Sequence, residues 1–164
     1  MHLAKYDIPL PDFMEITDIE SGREAGLKFG YPFMLKNRKL AYDGKGNAVV
    51  KNEGELEQAI NKLGGSELYA EKWASFVKEL AVMVVQNQSG DVYCYPVVET
   101  IQKDNICHIV IAPAQIPQNA INEALKIAKQ AISCISSAGI FGVELFLLPD
   151  DTILLNEIAP RYST

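Results

Sequence analysis

GVELFLLPDDTILLNEIAP, residues 142–160, places Glu144 and Glu157 inside two apolar runs joined by a turn-like Pro149-Asp150-Asp151. With Asp150-Asp151 as a two-residue hairpin loop, Pro149 pairs with Thr152, and counting along the ladder sets Glu144 directly opposite Glu157 on one face. Their Cβ atoms are then roughly 5 Å apart. Two like charges so close on a partly buried sheet face are unfavourable unless they share a proton or hold a cation. Oxygen-only ligands favour Mg2+ or Mn2+, and a magnesium held by one or two carboxylates completes its shell with water and phosphate oxygens. The hairpin therefore points toward nucleotide chemistry. The same residues also fit an ordinary hairpin with one exposed and one hydrogen-bonded glutamate, and a one-residue change of register sends the pair to opposite faces.

Upstream of the hairpin, residues 119–136 carry Ile121, Leu125, Ala128, Ile132 and Ile135 on one helical stripe. Strand signals rich in β-branched and aromatic residues cover 68–73, 79–86, 92–98 and 106–111. Nearer the start, Pro9 and Pro11 mark an extended lead-in, and Asp18 caps a helix carrying Ile19, Ala25, Leu27 and Phe29 toward Gly30. A hairpin of 31–36 with 48–51 follows, its tip the polar stretch 37–46, and then an amphipathic helix over 53–63 that stops at Gly64-Gly65. Strands and helices mix without a repeat or flexible linker, as in an α+β domain, with a soft boundary at residues 96–99.

The 164 residues suit one domain or two small lobes with a real core. The formal charge of −6, with no basic cluster, lacks the electrostatic footprint of a nucleic-acid or anionic-membrane binder. No run approaches the length of a membrane span, and the polar start lacks a signal-peptide core. Cys94, Cys107 and Cys134 are odd in number and set among apolar neighbours, which suits reduced, buried thiols in a reducing compartment.

Two further stretches bear on function. In residues 32–47 an apolar strand delivers Lys36, and the tip offers Gly44, Lys45 and Gly46, whose backbone N–H groups can approach phosphate oxygens. A buried ammonium needs an anion or a route to solvent; a nucleotide phosphate supplies the first, a snorkelling lysine the second. In residues 68–85 one strand ends at Glu71-Lys72-Trp73 and another restarts at Lys78-Glu79. That break exposes backbone groups able to read an adenine edge. Trp73 and Phe76 fit a core equally well, and Glu79 suits either a ribose or a lysine.

Together the strings YPFMLKNRKLAYDGKGNAVV, LYAEKWASFVKELAVMVV, YPVVETIQKDNICHIVIAPA and GIFGVELFLLPDDTILLNEIAPR resemble the ATP-grasp enzymes. They look most like N5-carboxyaminoimidazole ribonucleotide synthase, in the form found in the plant and fungal phosphoribosylaminoimidazole carboxylases of purine biosynthesis. The resemblance implies two lobes with antiparallel sheets and flanking helices: a lead-in and helix over 1–30, a small lobe over 31–97 and a large lobe over 98–164. By position it implies that Lys36 contacts the α- and β-phosphates of ATP and that Ala41, Tyr42, Asp43, Gly44, Lys45, Gly46 and Asn47 form the phosphate-covering loop. Glu71, Lys72, Trp73 and Ala74 would line the adenine, Glu79 the ribose hydroxyls. Glu144 and Glu157 would bind Mg2+, Asn156 would support metal and phosphates, and Arg161 would stand beside the carboxyphosphate and amine substrate.

The implied reaction is ATP-dependent carboxylation of 5-aminoimidazole ribonucleotide by bicarbonate, in a homo-oligomeric parent of the cytoplasm or, in a plant, the plastid. Phosphoryl transfer runs largely on positioning and charge neutralisation, so a glycine loop, a lysine and carboxylate-bound magnesium are the parts it needs. Gln102 departs from the family's usual histidine near the phosphates and cannot become cationic. The family's amino-terminal domain and the PHNSGH-like segment that follows its APR motif are not matched here, so the chain by itself is expected to bind Mg·ATP at most weakly, without turnover. The alternatives are another carboxylate-amine ligase of the same fold, a biotin-carboxylase-like enzyme, or a non-catalytic binding module.

Overall fold

The terminal hairpin forms by a different count from the one its sequence suggests. The computed structural model describes residues 2–39, 46–64, 67–104 and 106–161. In it, β9 (Gly139–Leu147) and β10 (Ile153–Pro160) pair antiparallel, with Ile153 opposite Leu147. The loop is longer than the expected Asp150-Asp151. Leu148 N donates to Thr152 O at 2.9 Å, Asp151 N donates to Leu148 O at 3.1 Å, and Asp151 takes a left-handed φ of 66°. Aspartate is one of the few non-glycine residues that tolerate that conformation. This loop moves the register by one and by itself would set Glu144 opposite Asn156. A bulge between Leu155 and Glu157 absorbs the extra residue, and Glu157 faces Glu144 after all.

The chain divides into two compact units, Pro11–Ala74 and Met1–Leu10 with Ser75–Thr164. The larger one holds an antiparallel sheet in the order β10-β9-β5-β7-β8, with β6 also paired to β5. These are β5 (Lys78–Gln86), β6 (Val92–Cys94), β7 (Val98–Lys103) and β8 (Ile106–Ile111). The stretch 92–98 is therefore not one strand. It splits at Tyr95–Val97, and the boundary drawn between residues 97 and 98 falls inside one sheet, because β5 carries β6, β7 and β9 as neighbours. Helix α3 (Gln118–Ser133) covers one face, with Leu80, Val82, Val84, Val143, Leu145 and Leu147 buried beneath it. Its deepest residues are Ala120, Ala124, Ile127, Ala128, Ala131 and Ile132, while Ile121 and Leu125 are only partly buried and Ile135, expected on the same stripe, lies past its end. The alanine-rich side faces the sheet because small side chains let the helix axis approach it closely.

The smaller unit is a sheet in the order β1-β4-β2-β3, built from β1 (Phe13–Ile16), β2 (Phe33–Asn37), β3 (Asn47–Val50) and β4 (Leu68–Lys72). The proline-marked lead-in thus contains a strand, β1, that pairs with β4. Helices α1 (Ile19–Phe29) and α2 (Leu56–Lys62) bury Ala25, Leu56 and Ala59 with Phe33, Leu35, Val50, Leu68 and Ala70. Asp18 caps α1 as expected, its carboxylate accepting from Ser21 N at 2.8 Å. Leu27, placed on the apolar stripe by spacing alone, is 88% exposed. The close pass of α1 over α2 runs through Gly22, where a Cβ would stand 2.9 Å from the Leu56 methyls. Among the described residues no helix is long and apolar enough to cross a membrane. Three free thiols are present, but Cys107 is exposed and Cys94 and Cys134 are only half-buried, contrary to the expectation of buried cysteines.

Candidate functional site

In the six-stranded sheet, residues alternate between the face under α3 and the opposite face. Leu80 and Val82 take the helix side, so Glu79 and Ala81 take the other. Ala81 pairs with Glu144, and Glu144 with Glu157, which sets one cross-strand row of Glu157, Glu144 and Ala81 on the open face. Glu79 lies two residues along β5 from Ala81, opposite Thr100. Gln102 lies two residues further along β7, its side-chain amide beside the Glu79 carboxylate. Asn156 is the bulged residue that, with Glu157, stands against Glu144. Arg161 extends the ladder, its N–H donating to Ile140 O at 2.8 Å, and its Nη2 lies 3.8 Å from Glu144 Oε1. Five sequence-expected residues, Glu79, Gln102, Glu144, Glu157 and Arg161, thus share one sheet face, with Asn156 at the bulge beside them.

The electrostatics are those of a face short of positive charge. Burial raises the Glu144 carboxyl above its ordinary value, Glu157 raises it further, and Arg161 only partly opposes them. Glu79 is raised as well, first by burial and then by Glu144, with the neighbouring Gln102 amide acting against the shift. A carboxyl whose folded pKa exceeds its unfolded one binds its proton more tightly in the native state. Stability therefore falls as pH rises from the unfolded carboxyl's pKa through the raised folded one. Glu144→Gln is accordingly expected to raise Tm at pH 7 by about 1–3 °C, kept small by solvent screening of a 36% exposed side chain, with the gain fading toward pH 4. Thermal melts across that range check it, and a lower Tm at pH 7 would contradict it.

The donor set is compatible with a hard cation. Among the described residues no group of three His, Cys, Asp or Glu side chains forms a ready-made cage. Two opposed carboxylates with an amide beside them suit instead an ion that brings water and phosphate oxygens as its remaining ligands, as magnesium does.

In the four-stranded unit the expected residues behave differently. Lys36 and Glu71 lie on the face of β2 and β4 away from the helices, and Lys36 Nζ donates to Glu71 Oε1 at 2.6 Å, each side chain 14% exposed. The anion that Lys36 requires is therefore supplied within its own sheet. Glu71, expected along the adenine, has its carboxylate engaged there. Lys72 lies 3.7 Å from Asp12 in an exposed pair. Trp73 is exposed and Ala74 half-buried. The backbone of 73–77 lies outside both sheets, as the sequence break suggested, since the β4 ladders end at Lys72 and the β5–β9 ladder starts at Lys78. Of the glycine-rich tip, Ala41, Tyr42, Asp43, Gly44 and Lys45 lie outside the described residues. Gly46, at φ 89°, accepts from Asn37 N at 2.8 Å, and Asn47 stands opposite Lys36.

Two elements escaped the sequence reading. Phe146 shares the Glu144 face, opposite Glu79, and stacks on Phe76 with ring centroids 4.5 Å apart and planes 2° from parallel. The alternation that exposed Glu144 also exposes Phe146, a signal present in the sequence. Gly142 is the second: a Cβ there would stand 3.0 Å from Arg161 Nε. No sequence pattern announces that contact.

The ATP-grasp domain family matches residues 1–163. The chain belongs to the ATP-grasp family. The α+β architecture with antiparallel sheets is the ATP-grasp fold expected above. Among relatives, the domain is 52% identical over 161 residues to the phosphoribosylaminoimidazole carboxylase of Schizosaccharomyces pombe, covering 98% of this chain and 29% of that protein. It superposes on the carboxyaminoimidazole ribonucleotide synthase of Aspergillus clavatus complexed with ATP with a TM-score of 0.92 and 42% identity, over 99% of this chain and 43% of that one. The same organism's N5-carboxyaminoimidazole synthase, in complex with ADP and 5-aminoimidazole ribonucleotide, matches with a TM-score of 0.88 and 40% identity over 96% and 41%. The ATP-grasp chain thus spans less than a third of the carboxylase it resembles.

Proposed function

We propose that this ATP-grasp domain binds Mg·ATP for a protein that carboxylates 5-aminoimidazole ribonucleotide, using bicarbonate and ATP. The observation that carries the reading is the row of a half-buried Glu144 opposed to an exposed Glu157, with Glu79 and Arg161 on the same face. Magnesium, when bound, neutralises phosphate charge during transfer. Glu144 and Glu157 would hold it, Asn156 would support it, and Glu79 would accept from the ribose hydroxyls, with Gln102 fixing the Glu79 carboxylate in place. Phe146, stacked on Phe76, would give the base an apolar neighbour. Within the four-stranded unit, Lys36 and the backbone of 41–47 are assigned to the phosphates, and Lys72, Trp73 and Ala74 to the adenine. Glu71 acts there through its ion pair, holding the Lys36 ammonium in place. Arg161 would receive the anionic carboxyl donor.

The test is a thermal-shift titration with Mg·ATP, with ATP plus chelator as the control. A ligand that binds only the native state at ten to a hundred times its Kd should raise Tm by about 3–8 °C. Absence of a magnesium-dependent shift at millimolar nucleotide would favour a module that keeps the fold without the ligand.

A further inference from the structure

Arg161 is held by two features that belong to neither a phosphate nor a substrate contact. One is its seat. Arg161 pairs with Ile140, Ala159 pairs with Gly142, and the guanidinium lies back over Gly142, where a side chain would stand 3.0 Å from Nε, 3.5 Å from Nη2 and 3.7 Å from Cζ. Glycine in the middle of a nine-residue strand weakens it and commonly marks close approach by another group. Here that group is the arginine. The other feature is the tether, Arg161 Nη2 at 3.8 Å from Glu144 Oε1, on the same carboxylate that faces Glu157.

Resting on the metal assignment above, we propose that Gly142 is a positioning residue for Arg161, and that Arg161 and the divalent cation compete for Glu144. Without the cation, the guanidinium rests over Gly142 and offsets the charge of the glutamate pair. A cation that takes both carboxylates removes the tether. Arg161 then stays seated over Gly142 with its donors released toward an anion at the next position along the sheet. Metal occupancy and anion capture by Arg161 are thereby coupled, and by linkage the anion favours the cation in equal measure.

The probe is Mn2+ alone, with the free ion followed by electron paramagnetic resonance, alongside the Arg161 15Nε–Hε resonance during a Mg2+ titration. Arg161→Gln removes the competitor and should tighten Mn2+ about threefold, the scale of one solvent-exposed ion pair. Gly142→Val keeps the charge and suits a strand, but evicts the guanidinium from its seat; it should perturb the Arg161 resonance before any metal is added and tighten Mn2+ by a smaller factor. In the unsubstituted chain the resonance should move with a midpoint equal to the metal Kd. A stationary Arg161 resonance at metal saturation, or Mn2+ affinity indifferent to both substitutions, would overturn the coupling while leaving the metal site intact. Mn2+ affinity indifferent to Glu144→Gln/Glu157→Gln would remove the metal site itself, and the coupling with it.

Discussion

Replacing Glu144 and Glu157 together by glutamine is expected to abolish Mg2+-dependent nucleotide binding, a loss of at least about 100-fold by calorimetry. Glutamine preserves shape and leaves a carbonyl oxygen on each strand, so the ladder is undisturbed. What disappears is charge, and a small hard cation that dehydrates reluctantly has little reason to leave water for two neutral amides. The same double substitution relieves the repulsion that raises the Glu144 carboxyl, so folding should be unharmed or slightly improved. Lost binding in a chain of undiminished Tm is the signature of a functional pair that the fold tolerates at some cost to stability. Equal affinity for Mg·ATP before and after the substitution would remove the metal assignment.

The second large effect is expected at Lys36 and Glu71. Either Lys36→Met or Glu71→Leu leaves the other charge without its 2.6 Å partner at a site 14% exposed, and each single substitution should cost about 2–4 kcal/mol in urea unfolding. Met34, half-buried on the same face, provides an apolar neighbour, so Lys36→Met/Glu71→Leu should recover most of that stability. Nucleotide affinity separates the two roles of the lysine. If Lys36 meets the phosphates, the double variant folds well yet binds Mg·ATP at least about tenfold more weakly. Full affinity in the double variant would make the pair purely structural. Single variants as stable as the parent would show that the charges are better hydrated than their burial suggests.

The glutamate pair shows how a correct conclusion can rest on cancelling structural details. Alternation in GVELFLL and LLNEI marks the carboxylates as residues on a face opposite the core, and this requires only the period of a strand. Their register required a loop length. Asp151 accepts a left-handed φ, which lengthens the loop by one residue, and the bulge at Asn156 restores the pairing. Neither is encoded in hydrophobic periodicity, because a bulge is stabilised by what it aims at the site and by neighbouring strands. Lys36 is a different case. Its need for an anion was legible, but the anion was not, since Glu71 reaches it only through the β2–β4 pairing, 35 positions away in sequence.

Local chemistry decided the secondary structure wherever one strong signal stood alone: the Asp18 cap, the helix over 118–133 and the apolar strands around Leu80 and Val143. It missed β1 because a short edge strand after two prolines has little periodicity to display. The sequence by itself determined the family through four motif strings, the α+β class through its mixed periods, and the chemical types available for a site. Tertiary structure alone decided which of those groups meet: Glu144 with Glu157 and Arg161, Gln102 with Glu79, Phe76 with Phe146, and Lys36 with Glu71. The physical reason is that strand order and register bring together residues far apart in the chain, and the free energy that selects them is shared among many core contacts rather than carried by the groups that meet.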